Sequence, residues 1–244
     1  MRDLVVLSLE AWDEVWRRNQ HLVAGLLRAG AVERVLFVEP AVDTVHTLRR
    51  QGRLVRGRGL RRAVLDGVPA DALWLWEPTK VLPRRLDRGY DRRWAAAVVR
   101  ATARAGLVDP MLWVNDAMGA ELLDLTGLPT LYDVTDDWLA ADRPPAEHAR
   151  LTDQERRLLD RADEVVVCSP VLASSKGAAR PVHLVPNGVD RTAYQRDLPR
   201  PADLPGGQVL LYAGTVHPDR VDVDLLVDTS RAVDGRARVV LLGP

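Results

Sequence analysis

Short runs of apolar, mostly β-branched residues recur along the chain, and most of them are continuous instead of alternating with polar positions. Continuous runs of this length are typical of strands that are covered on both faces, as in a parallel sheet. The predicted strands are residues 4–9, 35–38, 73–76, 111–114, 130–134, 164–168, 182–185, 209–212 and 239–242.

Helical patterns lie between many of these runs. The clearest begins at Asp13, a residue type that favours the N-cap position, and continues to Gly30 with its apolar residues on one face. Further helices are predicted over residues 90–105 and 145–162, and another begins near Asp222. This alternation predicts an α/β fold with an open, doubly wound parallel sheet.

A domain boundary is predicted where the periodic pattern stops. Residues 187–207 are rich in Pro, Gly, Arg and Asp, which is typical of a linker. We expect a Rossmann-like N-terminal domain over residues 1–186 and the first β-α-β unit of a second one over residues 208–244. Because so small a piece rarely folds alone, we expect the second domain to be truncated, completed by another chain or docked on the first.

Composition and charge narrow the possible classes. The 34 Lys and Arg residues balance the 34 Asp and Glu residues, so no general attraction to nucleic acid or membrane is expected. An arginine-rich run at residues 49–62 leaves two alternatives open, an anion-facing loop and a solvated hairpin. The single cysteine, Cys168, fits a reducing compartment, and no apolar run is as long as a membrane span. We therefore expect a cytoplasmic protein.

Several common site motifs are absent from the sequence. The first strand-helix turn contains no glycine, although a dinucleotide fingerprint needs glycines there, and a Walker-type phosphate loop is also missing. There is no Cys/His cluster with metal-ligand spacing and no Gly-x-Ser-x-Gly elbow. These absences disfavour an NAD enzyme, a P-loop ATPase, a zinc enzyme and a common serine hydrolase.

Polar residues follow most of the predicted strands. Since ligands of doubly wound folds bind at the carboxyl ends of the strands, these residues locate a cleft without naming its chemistry. They are Ser8, Glu10, Glu39, Glu77, Asn115, Asp116, Asp136, Asp137, Ser169 and Asn187.

Six segments, taken in order and spacing, resemble the GT-B class of glycosyltransferases. The resemblance is to the group that uses nucleotide sugars in bacterial polysaccharide or teichuronic-acid assembly. The segments are residues 16–21, 37–40, 131–138, 162–169, 185–190 and 212–215, the last followed by His217, Asp219 and Arg220.

The resemblance implies two Rossmann-like domains that face a cleft, with the acceptor on the N-terminal side and a nucleotide diphosphate sugar on the other. It implies no metal and no cofactor, since the nucleotide sugar is a substrate. The residues it implies are His21, Asp136 and Asp137 for catalysis, Arg18, Asp116 and Ser169 for the acceptor, and Asn187, Gly214, Thr215 and Arg220 for the donor.

The sequence also departs from that family's pattern. Many relatives have Arg after the glycine, where Thr215 stands here, and their paired glutamates that grip the donor have no counterpart in this sequence. We expect sugar transfer to a hydroxyl of a glycan or lipid-linked acceptor in cell-envelope polysaccharide synthesis, at the cytoplasmic membrane face. Two alternatives stay open: a catalytically silent domain that binds an acceptor or a partner, and a nucleotide-sugar epimerase of the same architecture.

Overall fold

The chain divides into two compact units, Met1–Gly188 and Val189–Pro244, which we call unit 1 and unit 2. The assignment of these regions to an acceptor side and a donor side stays a prediction. The computed structural model describes residues 2–178, 180–195, 197–217 and 221–243.

Unit 1 alternates strands and helices. Its strands are β1 Arg2–Leu7, β2 Val32–Val38, β3 Val42–Asp43, β4 Gly59–Arg62, β5 Leu73–Glu77, β6 Thr79–Lys80, β7 Met111–Val114, β8 Thr130–Val134, β9 Glu164–Val167 and β10 His183–Leu184. Its helices are α1 Arg18–Arg28, α2 Thr44–Gln51, α3 Tyr90–Arg104, α4 Ala120–Thr126, α5 Pro145–Arg161 and α6 Pro170–Lys176, and a 3₁₀ turn, Ala117–Gly119, precedes α4.

Eight of these strands form one sheet in the order β10-β9-β8-β7-β1-β2-β5-β4. All neighbours pair in parallel except β4 and β5, which are antiparallel. The chain builds outward from β1 in one direction through β2 and β5, and in the other from β7 to β10. The predicted doubly wound α/β fold is therefore confirmed, and the strand order reverses between β1 and β7.

The central strand is buried on both faces. Val5 and Leu7 of β1 belong to the core cluster that contains residues of α3 and α5. Leu4 and Val6 belong to a second cluster that contains residues of α1. This two-sided burial explains why β1 reads as a continuous apolar run in the sequence.

The first helix starts later than the sequence predicts. The carboxylate of Asp13 accepts a hydrogen bond from the backbone N–H of Val15 at 2.9 Å, so it forms a local turn instead of capping a helix. The helix begins at Arg18, and the side-chain oxygen of Gln20 accepts from the backbone N–H of Arg17 at 3.0 Å. This contact from the first turn back to the residue before the helix supports the boundary.

Unit 2 contains a short helix, α7 Arg191–Tyr194, followed by β11 Val209–Ala213, α8 Val223–Ala232 and β12 Arg238–Leu242. The two strands pair in parallel, so this region is a β-α-β unit. Helix α8 begins near Asp222 as predicted, and the Asp222 carboxylate caps it by accepting from the backbone N–H of Leu225 at 2.9 Å. None of the helices in the described part of the chain combines the length and apolar character needed to span a bilayer.

Candidate functional site

Backbone hydrogen bonds join the carboxyl ends of β1 and β7 at the point where the strand order reverses. The backbone N–H groups of Asn115 and Asp116 both donate to the carbonyl of Leu7, at 3.0 and 3.2 Å. Ser8, the residue after β1, is buried, and its backbone N–H donates to the Val38 carbonyl at 3.0 Å. In open α/β sheets this reversal point is where a ligand crevice forms.

A cavity of about 220 Å³ opens beside these strand ends, and we call it the crevice cavity. Asn115 and Asp116 line it from the end of β7, Tyr132 lines it from β8, and Trp138 lines it from the following loop. At roughly 30 Å³ per water molecule, the space corresponds to about seven waters. It suits a small polar group or a single ring better than a whole nucleotide sugar.

Two buried polar atoms of the crevice-cavity residues have no hydrogen-bond partner among the described residues. They are the side-chain oxygen of Asn115 and the indole Nε1 of Trp138. The Asn115 amide orientation is set by its nitrogen, which donates to the Asp133 carbonyl at 2.9 Å. A buried polar atom left unpaired costs about 1–3 kcal/mol. A hydroxyl can donate and accept, so it could pair with either atom.

Asp116 supplies an acidic group to the same cavity. One of its carboxylate oxygens accepts from the backbone N–H of Met118 at 2.9 Å, which holds the side chain in place. Burial raises the pKa of Asp116, and this effect exceeds the opposing effects of the Met118 hydrogen bond and of Arg84 and Arg150. A carboxylate with a raised pKa takes up a proton more readily, as a general base must.

Arg18 and Asn187, predicted to bind acceptor and donor, lie together in unit 1. The Arg18 guanidinium contacts both carboxylate oxygens of buried Asp133, at 3.4 and 3.5 Å. It also donates to the Pro186 carbonyl and to the Asn187 side-chain oxygen, each at 3.3 Å. Trp113 donates its indole N–H to Asp133 at 3.1 Å. Arg18 therefore ties the start of α1 to β8 and to the end of unit 1.

The predicted catalytic residues are exposed, and each contacts a different residue. His21 lies on α1, with its ring 5.2 Å from the ring of Trp16. Asp136 accepts from the backbone N–H of Asp137 at 2.9 Å. The Asp137 carboxylate accepts from the Lys176 ammonium at 3.1 Å. The catalytic roles of these residues stay predictions.

The remaining predicted site residues are spread over both units. Ser169 caps α6, with its hydroxyl oxygen accepting a first-turn backbone N–H at 3.2 Å. Gly214 follows β11 with a φ of +151°, a conformation that favours glycine. The Thr215 carbonyl accepts from the Tyr212 hydroxyl at 3.2 Å. Arg220 lies outside the described residues, and the donor-binding roles stay predictions.

One contact at the crevice cavity was missed by the sequence reasoning. The Lys176 ammonium donates to buried Glu155, a cavity-lining residue, at 2.6 Å, in addition to its contact with Asp137. Burial lowers the pKa of Lys176, but the hydrogen bonds that Lys176 donates to Glu155 and Asp137 outweigh this and raise it. A signal existed, because Lys176 is one of only two lysines in an arginine-rich chain.

No protein-family model matches this chain, and no curated protein matches it. A solved apo structure of OtsA matches with a TM-score of 0.58 and 12% identity, covering 99% of this chain and 65% of that one. A ugt transferase from Siraitia grosvenorii in complex with UDP matches with a TM-score of 0.50 and 11% identity, again covering 99% and 65%. The chain thus spans 65% of the length of both neighbours. At these identities the likeness shows the fold alone, and it supports the GT-B type of Rossmann-like fold.

Proposed function

We propose that this chain is a glycosyltransferase that moves a sugar from a nucleotide diphosphate sugar to an acceptor hydroxyl. The crevice cavity is the observation that carries the proposal. It combines Asp116, a carboxylate of raised pKa, with the unpaired oxygen of Asn115 and the unpaired indole N–H of Trp138. A sugar carries several hydroxyls. Some of them can hydrogen-bond to Asn115 and Trp138 while Asp116 removes the proton from another.

The proposed step is a displacement at the anomeric carbon of the donor sugar. Asp116 takes the proton from the acceptor hydroxyl while the oxygen of that hydroxyl forms a bond to the anomeric carbon. The bond between the carbon and the donor diphosphate breaks, and the nucleotide diphosphate leaves with the electron pair. The raised pKa of Asp116 favours this proton transfer at neutral pH.

The donor side rests on the fold and on unit 2. Gly214 lies directly after β11, at the strand end where parallel sheets bind ligands, and has no side chain to block a diphosphate. The Siraitia grosvenorii neighbour is bound to UDP, so UDP-sugars are the first donors to test. We extend the proposal to a glycan or lipid-linked acceptor in cell-envelope polysaccharide synthesis at the cytoplasmic membrane face.

The test is a transfer assay with radiolabelled UDP- and GDP-sugars and a panel of glycan acceptors. We expect Asp116→Asn to lower kcat by about 100-fold or more, because it removes a general base. The matched control is Asp153→Asn, since Asp153 is exposed on α5 and does not line the cavity. Equal rates for wild type and Asp116→Asn would contradict the assigned base.

Other outcomes separate the alternatives. No transfer from any nucleotide sugar, together with calorimetric binding of the acceptor, would replace the proposal with a catalytically silent binding domain. Turnover of a nucleotide sugar without an acceptor would replace it with an epimerase. Transfer without any partner added would show that these 244 residues suffice.

A further inference from the structure

A second, larger cavity of about 560 Å³ lies at the carboxyl end of β5, and we call it the aromatic cavity. It shares no lining residue with the crevice cavity. One wall is a face of α3, where Tyr90, Trp94 and Ala97 follow one another at helical spacing. Trp76 and Pro78, at the end of β5, also line it.

A close backbone contact forms part of the wall of the aromatic cavity. A Cβ atom on Gly57 would lie 2.3 Å from the Glu77 carbonyl oxygen and 2.5 Å from that of Pro78, so only glycine fits. The Gly57 backbone N–H donates to the Thr79 hydroxyl at 2.9 Å. This packing holds the segment before β4 against the end of β5, so the cavity is built into the fold.

The charged side chains of the cavity wall are already neutralised within the protein. Glu77 accepts from the guanidinium of Arg58 at 2.9 Å, and Arg93 pairs with Asp87. Burial raises the pKa of Glu77, but the hydrogen bonds from Arg58 outweigh this and lower it. A charged ligand would find no unpaired counter-charge among the described wall residues, and burying its charge would be costly.

The rest of the wall is largely apolar. Val81 and Leu82 are 61% and 45% exposed beside the cavity, and a bound apolar group would cover them. Tyr90 is itself buried, and its hydroxyl has no hydrogen-bond partner among the described residues. Burial raises the pKa of Tyr90 to about 12, so the hydroxyl stays protonated at neutral pH.

We infer that the aromatic cavity binds a neutral aromatic or cyclic hydrocarbon group. Its volume falls within the range of about 300–1,000 Å³ that is usual for small-molecule sites. The rings of Trp76, Tyr90 and Trp94 line the cavity, and aromatic rings pack favourably against one another. The inference concerns binding alone, and it stands apart from the proposed transfer reaction.

The first test uses 2-naphthol as a neutral probe and 2-naphthoate as its charged counterpart, with binding to the full chain measured by calorimetry. We expect 2-naphthol to bind at least about tenfold more tightly than 2-naphthoate, since the wall offers the carboxylate no free cation. Comparable affinities for the two probes, or no binding of 2-naphthol, would overturn the inference.

The second test fills the cavity. Ala97→Leu adds bulk to the wall, and we expect it to weaken 2-naphthol binding by about tenfold or more. Ala103→Leu is the matched control, because Ala103 is exposed on the same helix and does not line the cavity. Unchanged binding in Ala97→Leu, or an equal loss in both variants, would place the probe elsewhere.

A third measurement needs no variant that has to fold. In ¹⁵N-labelled wild-type protein, 2-naphthol should shift the indole N–H resonances of Trp76 and Trp94, which line the cavity, and leave that of Trp138 in place. Shifts confined to other tryptophans would overturn the assignment. None of these results depends on sugar transfer, so the two proposals fail separately.

Discussion

Replacing Asp133 with alanine tests the central polar contact of unit 1. The Asp133 side chain is 1% exposed, and it accepts from Arg18, whose side chain is 13% exposed. It also accepts from the indole N–H of Trp113, which is buried. The substitution therefore leaves a poorly hydrated guanidinium and a buried donor without their shared acceptor.

The magnitude follows from these contacts. Breaking a buried ion pair by removing one partner costs about 3–5 kcal/mol. The Arg18 contacts are long, at 3.4 and 3.5 Å, and Arg18 keeps its bonds to Pro186 and Asn187, which favours the lower end of that range. We expect Asp133→Ala to lower the unfolding free energy by about 3 kcal/mol. Asp133→Asn keeps an oxygen for Trp113 and should lose about 1–2 kcal/mol.

Urea unfolding followed by tryptophan fluorescence is the appropriate assay. All seven tryptophans lie between residues 12 and 138, so the signal reports unit 1. With a slope of about 2 kcal/mol per molar urea, Asp133→Ala should lower the midpoint by about 1.5 M. The control is Asp153→Ala, which removes an exposed pair with Arg156 and should change the unfolding free energy by no more than about 0.5 kcal/mol.

Two results would refute this reasoning. A loss for Asp133→Ala no larger than that for Asp153→Ala would show that the buried contact contributes little. A loss for Asp133→Asn equal to that for Asp133→Ala would show that the acceptor for Trp113 is unimportant and that the charge alone matters.

Four further predictions can be checked by the same unfolding assay. Gly57→Ala should lose about 2 kcal/mol or more, because its Cβ would lie 2.3 Å from a carbonyl oxygen. Gly25→Ala, in α1 with nothing within 4 Å, should gain about 0.5–1 kcal/mol. Trp138→Phe should lose less than Trp113→Phe, by about 1 kcal/mol, because only the Trp113 indole N–H has a partner to lose. Because burial raises the pKa of Asp116 above its ordinary value of 3.8, wild-type stability should fall relative to Asp116→Asn as the pH rises from 3.8 through that raised pKa.

Three of these predictions have a clear contrary outcome. If Gly57→Ala is as stable as wild type, the backbone before β4 can shift to accommodate a Cβ atom, and this part of the aromatic cavity is not rigid. If the two tryptophan variants lose equally, the unpaired indole of Trp138 has a partner in solution. If the stability difference for Asp116→Asn does not change with pH, the carboxylate is well hydrated and is a poorer candidate for the base.

The strands of the fold could be predicted because two-sided burial leaves a local trace, a continuous apolar run. Start points of helices were less secure, since Asp13 caps a turn as readily as a helix and no local signal distinguishes the two. Helix α2 was not predicted. Its eight residues carry few apolar side chains, and Leu48 remains 45% exposed, so the segment is too short and too polar to be recognised as a helix that packs on the core.

The candidate site could be located from the sequence only in outline. Strand ends point to the crevice, but which polar atoms remain unpaired depends on contacts between distant segments. The Asn115 amide is oriented by a carbonyl 18 residues away, and Asp133 meets Arg18 across 115 residues. The Asn115 oxygen and the Trp138 indole N–H lack partners among the described residues because of that packing. No local sequence pattern predicts this.

The two edge strands of the large sheet affect whether copies of the molecule can aggregate through strand pairing. The strand at one end, β10, has two residues, and the other, β4, carries Arg61 and Arg62. Arg61 lies 2.6 Å from buried Glu39, and the guanidinium of Arg62 lies 4.9 Å from the ring centroid of Trp74. A very short or cationic terminal strand is a poor template for a strand of another molecule. Arg61 and Arg62, which belong to the arginine-rich run, therefore disfavour the addition of strands from other molecules to this apolar sheet, and so disfavour aggregation.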